Sequence, residues 1–152
     1  MSSSPAFTLR HALPTDGKVV RAFVTATLWT YALEENHDDL LAFAVPFNGA
    51  LAELVADVEG TAVGMVTLYP RGKRTGWISK LFVDPEHRGK GIGKALLEAV
   101  IAEARTWKLE RLGLSTLPVL REAVHLYEST GWVRRKDPRT GRMSDRVYWL
   151  KL

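Results

Sequence analysis

The sequence predicts a single α/β domain over residues 1–152, with a mixed central sheet flanked by helices. Segments that alternate apolar and polar residues, as strands do, stand in groups, and segments with the apolar spacing of amphipathic helices are inserted between them. The chain has 152 residues and a hydrophobic fraction of 46%, which suits one domain with one sizeable core. Residues 1–5 are expected to form a flexible tail.

The first third of the chain is predicted to contain one strand and two helices. A short alternating segment comes first, and a helix-capping residue then precedes apolar residues at helical spacing. The predicted elements are a strand at Phe7–Arg10, a helix from Thr15 or Asp16 to about Leu33, and a short helix through Leu40 and Phe43 that Pro46 ends.

Strands dominate the middle of the chain, and helices and strands alternate after it. Ala50–Val58 and Ala62–Tyr69 are predicted strands, and Glu59–Gly60 between them fits a hairpin turn. Trp77–Val83 is a third long strand. The later predicted elements are a helix in which Ile92, Leu96, Val100 and Ala104 recur every four residues, a strand at Leu112–Leu117, a helix at Val119–Thr130, and strands at Trp132–Arg134 and Arg146–Leu152 around the loop Asp137–Asp145.

A basic, glycine-rich loop between the third long strand and the next helix predicts an anion site. The segment Arg88–Lys94 holds three glycines, whose missing Cβ atoms allow a phosphate to approach the backbone. The first N–H groups of a helix lack partners within the helix and carry partial positive charge. Arg88, Lys90 and Lys94 add charge, so the site suits a pyrophosphate.

The segment Arg88-x-x-Gly91-x-Gly93 resembles the acyl-CoA loop of the GNAT superfamily of N-acyltransferases, whose pattern is [Arg/Gln]-x-x-Gly-x-[Gly/Ala]. The predicted order of elements is also that of the GNAT fold. The resemblance implies a GNAT-like domain that uses acetyl-CoA as co-substrate. In that family the loop backbone binds the CoA pyrophosphate and the preceding strand binds the pantetheine arm. The cofactor-binding residues so implied are Leu81, Phe82, Val83, Arg88, Gly89, Lys90, Gly91, Ile92, Gly93 and Lys94.

A second segment, Ala123–Trp132, resembles the GNAT helix pattern Asn-x-x-Ala-x-x-Leu-Tyr-x-x-x-Gly-Phe. Tyr127 takes the Tyr position and Trp132 replaces Phe, but Leu120 stands where the family usually has the Asn that touches pantetheine. In GNAT enzymes the matching Tyr often protonates the leaving thiolate. The resemblance therefore implies that Tyr127 is a catalytic general acid, and the alternative is a tyrosine that only packs in its helix.

The resemblance also implies a backbone role for the strand before the glycine loop. In GNAT folds this strand splays from its neighbour at a β-bulge, and the freed N–H groups bind the acetyl carbonyl and the pantetheine. The matching positions lie near Leu81 and Val83, so Leu81 is the second implied catalytic residue. A bulge supplies the unpaired backbone groups that an oxyanion site needs, and the side chains can still pack in the core.

The sequence does not identify the general base. Removing the proton of an amine with pKa ~10.4 near pH 7.5 costs about 4 kcal/mol, so a base or a water chain is expected. Many GNAT enzymes carry a Glu on the strand before the loop, whereas Trp77–Val83 contains no carboxylate. The candidates are Glu34, Glu35, Asp38 and Glu53, although a solvated surface charge is the commoner role of such residues.

The expected function is transfer of an acetyl group from acetyl-CoA to an amine. The chain has no cysteine and no Gly-x-Ser-x-Gly segment, so direct attack in a ternary complex is simpler than an acyl-enzyme. The alternative is a non-catalytic acyl-CoA-binding or regulatory module with a GNAT fold. The acceptor classes that the family suggests are a small-molecule amine, a peptide N-terminus and a lysine, and many GNAT proteins are homodimers.

Charge and hydropathy limit the other partners. The formal net charge of +4 suits an anionic ligand such as CoA but equally suits plain solubility. The basic run Arg134–Lys136 is short, so nucleic-acid binding is not expected. No apolar run approaches the ~18 residues of a transmembrane helix, and no signal peptide is recognised, so we expect no membrane association and a cytoplasmic location. Without cysteine or His-x-x-x-His spacing, a metal site is not expected.

Two features are candidates for the acceptor site. The loop Arg134–Asp145 borders the acceptor cleft in many GNAT folds, and its basic residues either favour an acceptor with an acidic group or simply solvate a hairpin tip. The second candidate is a set of aromatic residues that line the site in one interpretation and belong to the core in the other, namely Trp29, Tyr31, Tyr69 and Trp77.

Overall fold

The computed structural model describes residues 7–30, 49–116, 120–135 and 146–152, and these residues form a seven-stranded mixed sheet with helices on both faces. This architecture confirms the predicted α/β class. The helices of the described residues are α1 Gly17–Thr30, α2 Ile92–Thr106 and α3 Arg121–Ser129. The strands are β1 Thr8–His11, β2 Ala52–Val58, β3 Thr61–Pro70, β4 Thr75–Val83, β5 Arg111–Thr116, β6 Val133–Arg135 and β7 Arg146–Lys151.

The strands lie in the order β1-β2-β3-β4-β5-β7-β6, and every neighbouring pair is antiparallel except β4 and β5. The predicted hairpin between β2 and β3 is confirmed: Glu59 and Gly60 both have positive φ, 50° and 89°. A parallel pair needs a crossover connection, which α2 supplies between β4 and β5. The parallel ladder runs from Thr75 opposite Arg111 to Ile78 opposite Leu114.

One face of the sheet, called the α2 face, packs against α2 and α3. Ile92, Leu96 and Val100 of α2 are buried there against strand residues such as Val66 and Ile78. Their four-residue spacing is the one that predicted this helix, because it places all three side chains on one side. Burying an aliphatic side chain contributes about 1.5–3 kcal/mol, so this face holds much of the fold's stability.

The opposite face, called the α1 face, packs against α1. Val20 and Val24 of α1 are buried against Val55 of β2 and Met65 of β3, and the half-buried Phe82 of β4 packs on the same cluster. Adjacent strand residues point to opposite faces, so Met65 belongs to this cluster and Val66 belongs to the core on the α2 face. The two faces therefore carry separate cores on one sheet.

α1 begins later than predicted, because Pro14–Asp16 forms a short 3₁₀ turn before it. The carboxylate of Asp16 accepts a hydrogen bond from the Leu13 N–H at 2.7 Å and two from the Arg10 guanidinium at 2.8 Å. The bonds from Arg10 are the main reason that the pKa of Asp16 is lowered. Arg10 Nε also donates to Asp57 at 2.8 Å, so this arginine joins β1, β2 and the start of α1.

Most other predicted boundaries lie within two residues of the observed ones. The final helix begins at Arg121 rather than at Val119, and Trp132 is buried in the core instead of opening β6. The predicted helix through Leu40 and Phe43, the tail at residues 1–5 and the loop residues 137–145 lie outside the described residues.

Candidate functional site

The glycine-rich loop ends in a helix N-terminus, as the sequence predicts. After β4, Asp84 accepts a hydrogen bond from the Glu86 N–H at 3.1 Å and starts a 3₁₀ turn at Pro85–His87. Gly91, with φ of 79°, then precedes the first residue of α2, and its carbonyl accepts the Ala95 N–H at 3.0 Å. The N–H groups of the first turn have no acceptor within the helix, so they are directed toward any anion above the loop.

The three glycines of the loop have different structural requirements. Gly89 and Gly91 have φ of 77° and 79°, which L-residues with a side chain adopt at a cost, and a Cβ there would meet nothing within 4 Å. Gly93 has an ordinary helical backbone. A Cβ at Gly93 would lie 3.7 Å from Leu126 Cδ2 and from Val83 Cγ2, which is normal contact. The missing Cβ of Gly93 therefore leaves the helix N-terminus open toward β4 and α3.

A largely apolar cavity of ≈ 180 Å³ lies beside this loop. Its wall includes eight of the ten implied cofactor-binding residues, all except Lys90 and Lys94, which are exposed. The lining residues are Thr27 of α1, Leu81, Phe82 and Val83 of β4, His87, Arg88, Gly89, Gly91, Ile92 and Gly93 of the loop and α2, and Leu120, Glu122, Ala123 and Leu126 at α3.

A β-bulge interrupts β4 where it reaches the cavity. Thr67 on β3 pairs with Ser79, and Met65 pairs with Phe82, so Val66 alone lies opposite two residues of β4. The first of these two, Lys80, has φ of 61°, in the left-handed region that non-glycine residues rarely occupy. The structure thus contains the bulge that the resemblance implied.

The strands β4 and β5 separate just before this bulge. Their parallel ladder ends at Ile78 opposite Leu114, although β4 continues to Val83 and β5 to Thr116. The cavity wall includes Val83, which packs on the α2 face, and Phe82, which packs on the α1 face. The cavity therefore reaches residues of both faces of β4, in the stretch that is no longer paired with β5.

Arg88 is held within the protein rather than extended toward solvent. Its Nε donates to the Val83 carbonyl at 3.4 Å, and its Nη2 donates to the Thr27 hydroxyl at 3.2 Å. The sequence predicted a cation that adds charge to the loop. The structure adds a geometric role, because these two bonds connect the loop to β4 and to α1.

Tyr127 lies in the core and is not part of the cavity wall. Its side chain is 4% exposed, and its ring lies 5.9 Å from that of Trp132 and 5.8 Å from that of Tyr148. Burial raises the pKa of Tyr127 above its usual value. Its neighbours Leu126 and Ala123 do reach the wall. The role of Tyr127 as general acid stays a prediction.

Four further residues of the cavity wall could not be assigned to it from local patterns. Thr27 comes from α1, far from the loop in sequence. The side chain of His87 is 24% exposed, and its Nδ1 lies 3.8 Å from the Asp84 carboxylate, beyond hydrogen-bond distance. Glu122 and Leu120 reach the wall because α3 starts there, which places Leu120, the replacement for the family's Asn, beside the cavity.

Only part of the predicted acceptor site lies within the described residues. Tyr69 accepts a hydrogen bond from Lys80 Nζ at 2.8 Å. Trp77 stacks edge-on against Trp149 with 5.7 Å between ring centroids, and the Arg71 guanidinium lies 3.8 Å from the centre of the Trp77 ring. The side chain of Trp29 and the whole of Tyr31 lie outside the described residues, as do Glu34, Glu35, Asp38 and the loop residues 136–145.

Neither a metal cluster nor a membrane helix is found in the described part of the chain. No group of three or more His, Asp or Glu side chains is arranged there to hold a metal ion. None of the described helices combines the length and the apolar character needed to cross a bilayer.

Known proteins resemble this chain both in sequence and in architecture. Residues 18–132 match the sequence model of the Acetyltransferase (GNAT) family. An uncharacterized N-acetyltransferase of Schizosaccharomyces pombe is 33% identical over 129 residues, which is 79% of this chain and 78% of that protein. The spermine/spermidine N(1)-acetyltransferase of Bacillus subtilis is 32% identical over 80 residues, which is 50% of this chain and 53%, about half, of that protein.

A solved structure agrees with the described topology. The structure of yncA from Salmonella typhimurium with its cofactor acetyl-CoA has a TM-score of 0.73 and 25% sequence identity, over 97% of this chain and 94% of that chain.

Proposed function

Because this chain belongs to the Acetyltransferase (GNAT) family, we propose that residues 1–152 form one N-acetyltransferase domain that moves an acetyl group from acetyl-CoA to an amine. The observation that carries the proposal is the meeting of two features at one cavity. One is a helix N-terminus opened by glycines, and the other is a bulged strand that separates from its neighbour. Together they offer an anion site beside a stretch of β4 that is not paired with β5.

The residues at the cavity fit CoA by their shape. The missing Cβ at Gly93 and the left-handed backbone at Gly89 and Gly91 form a cradle in which a pyrophosphate can approach N–H groups of the loop and the first turn of α2. Residues Leu81–Val83 would hold the pantetheine arm, and the apolar wall at Leu126 would exclude water from it. Bound there, acetyl-CoA supplies an acetyl group activated as a thioester.

The chemistry proposed for this chain is direct attack by the amine. The backbone near Leu81, beside the bulge, would donate to the acetyl carbonyl and stabilise negative charge on its oxygen. Tyr127 would supply the proton that the leaving thiolate takes up. No cysteine is present to form an acyl-enzyme.

The acceptor is proposed to be a primary amine. The Bacillus subtilis relative is named for spermine and spermidine, which makes polyamines the first class to test. Peptide N-termini and lysine side chains are the other two classes. Arg134 and Arg135 on β6 are exposed. Their positive charge would favour an acceptor that carries an acidic group besides its amine.

A non-catalytic acyl-CoA-binding module is the second candidate. Two observations favour it: Tyr127 lies behind the cavity wall, and β4, at Thr75–Val83, carries no carboxylate. Such a module would bind acetyl-CoA through the same loop and leave it intact.

Turnover separates the two candidates. The protein and acetyl-CoA would be incubated with one amine in each reaction, and the released CoA thiol would be measured. The amines are spermidine, a tripeptide with a free N-terminus and a lysine-containing peptide. Calorimetry with CoA would be run on the same preparation. Thiol release that depends on an amine supports the enzyme. CoA binding without release from any amine supports the module, and failure to bind CoA contradicts both.

A further inference from the structure

We propose that Glu53 is the general base of this protein and accepts the proton that the acceptor amine must lose, through a polar row formed by Glu53, Thr67 and Ser79. The inference rests on the proposed N-acetyltransferase function and deepens it. It assigns a group that the sequence left open among four carboxylates and a water chain.

The three residues of the polar row lie side by side across the sheet. Glu53 on β2 is directly opposite Thr67 on β3, and Thr67 is directly opposite Ser79 on β4. All three lie on the α1 face, because their neighbours in sequence belong to the core of the α2 face. Adjacent strands are ~4.8 Å apart, so the row spans about 10 Å from Glu53 to Ser79.

The hydroxyl in the middle of the row is in an unusual state. Thr67 is 0% exposed, and within the described part of the chain its Oγ1 has no hydrogen-bond partner. A buried hydroxyl without a partner destabilises the folded protein, and native structures rarely keep one without a reason. A polar ligand or a water bound on the α1 face would satisfy it.

The row ends two residues before Leu81, the first residue of β4 on the cavity wall, and its own three residues are not part of that wall. Ser79 is the last residue of β4 before the bulge at Lys80, and β4 has already separated from β5 there. Phe82 and Thr27 bring the cavity wall to the α1 face. An amine at the acetyl group on that face would therefore be nearer to Ser79 than to Glu53, and the row would carry its proton to Glu53.

The charged groups around the row favour loss of a proton from the amine. Lys80 reaches onto this face and donates to the Tyr69 hydroxyl, so its positive charge disfavours a second ammonium nearby. Arg10 of β1 is on the same face but is bonded to Asp16 and Asp57. Glu53 is the carboxylate that stands in the row itself, directly opposite Thr67.

The proton balance of the step is complete. An amine with pKa ~10.4 is neutral in only about one molecule in 800 at pH 7.5. The ammonium gives one proton to the Glu53 carboxylate, directly or through a hydroxyl or water of the row. The nitrogen lone pair then forms the bond to the acetyl carbonyl carbon, the carbon–sulfur bond breaks, and the thiolate takes up a second proton. The third proton stays on the amide.

The first test is the pH dependence of Glu53→Gln. With a base on the protein, kcat/KM for the amine is flat between the pKa of the base and that of the amine. Without it, only the neutral amine reacts, so kcat/KM rises about tenfold per pH unit. We expect Glu53→Gln to lower kcat/KM by roughly 10²- to 10⁴-fold at pH 7, and we expect the difference in kcat/KM from the wild-type protein to become smaller toward pH 10. Glu59→Gln at the exposed β2–β3 turn removes the same charge and is the control.

The second test is Thr67→Val, which keeps the shape of the side chain and removes the hydroxyl. Because that hydroxyl is buried without a partner, the melting temperature should stay the same or rise. A purely structural threonine would also leave the kinetics unchanged. We expect kcat/KM to fall at least tenfold while the affinity for CoA, measured by calorimetry, is retained.

The outcomes separate this inference from the proposed function. Turnover by the wild-type protein of spermidine or of either peptide, with a sloping profile for Glu53→Gln and slower turnover by Thr67→Val, supports the base. Wild-type turnover with a flat, unchanged profile for Glu53→Gln overturns the base and leaves the function intact. If the wild-type protein binds CoA but releases no thiol with any of the amines, the proposed function fails, and this inference fails with it.

Discussion

The guanidinium of Arg88 donates a hydrogen bond to the hydroxyl of Thr27, 61 residues earlier in the chain, at 3.2 Å. Thr27 in turn donates to the Phe23 carbonyl at 2.9 Å, which fixes the direction of its hydroxyl. A second bond from Arg88 reaches the Val83 carbonyl. One side chain thus couples the proposed phosphate loop to the strand that would hold pantetheine and to the helix on the other face.

Arg88→Lys should weaken CoA binding by about tenfold although it keeps the charge. The planar fork of arginine makes two bonds in fixed directions, and a lysine ammonium cannot reproduce both. Calorimetry with CoA measures the effect, and Arg105→Lys is the matched control, since Arg105 is exposed in the last turn of α2 and outside the cavity wall. Equal affinities of Arg88→Lys and the wild-type protein would show that charge alone matters at this position.

Gly93→Val should weaken CoA binding through the added side chain rather than through the backbone. Its Cβ would make ordinary 3.7 Å contacts with Leu126 and Val83, while the affinity for CoA should fall more than tenfold because the branched side chain fills the cradle. Gly91→Ala forces a side chain into the left-handed region and should destabilise the protein by about 1–2 kcal/mol. Calorimetry that gives Gly93→Val the CoA affinity of the wild-type protein would show that the pyrophosphate does not bind at this position.

Tyr127→Phe should lower kcat by roughly 10- to 1,000-fold if the phenol protonates the thiolate, with CoA affinity unchanged. Burial raises the pKa of Tyr127, so the phenol stays protonated up to pH 10, and its own ionisation should cause no loss of rate below that pH. Tyr148→Phe, in the same cluster, removes a hydroxyl that bonds to Glu128 at 2.7 Å and should keep the wild-type kcat. A Tyr127→Phe variant as fast as the wild-type protein, with chemistry rate-limiting, would make Tyr127 a packing residue.

Asp16→Asn should lower the free energy of unfolding at pH 7 by about 1–3 kcal/mol, because it breaks charge-assisted bonds to Arg10. The pKa of Asp16 is lowered in the folded state, so this stabilisation is present above about pH 4 and is lost as the pH falls through the folded-state pKa. Urea unfolding should therefore show a smaller difference in unfolding free energy between Asp16→Asn and the wild-type protein at pH 3 than at pH 7. Glu110→Gln, which breaks an exposed ion pair with Arg74, should cost under about 1 kcal/mol.

The sequence predicted the elements that depend on local chemistry. Three glycines at the start of a helix with four-residue periodicity could be recognised directly, and so could the Glu59–Gly60 turn, because each requires particular residue types at fixed spacing. The strand at Trp77–Val83 was predicted two residues short at its start. Its bulge was implied by the family resemblance, since an ordinary residue, Lys80, takes the left-handed backbone and no local pattern marks it.

Residues that come together only through the sheet could not be found this way. Thr27 reaches the cavity because α1 crosses the face opposite α2, and Thr67 lies buried opposite Glu53 because β2 and β3 pair in this register. Tyr127 shows the opposite case, since its motif is present but its ring turns toward Trp132. Side-chain direction depends on packing that the sequence pattern does not contain.

The bulge at Lys80 also bears on how the chain reaches its fold. β2, β3 and β4 are joined by short turns and can pair early, whereas β5 joins only after α2 has crossed over, which costs loop entropy. Until then the outer edge of β4 would be open to pairing with another chain. A lysine and a kink in the middle of that edge are features that discourage such pairing. The same irregularity that opens the proposed site would thus guard the half-formed sheet against aggregation.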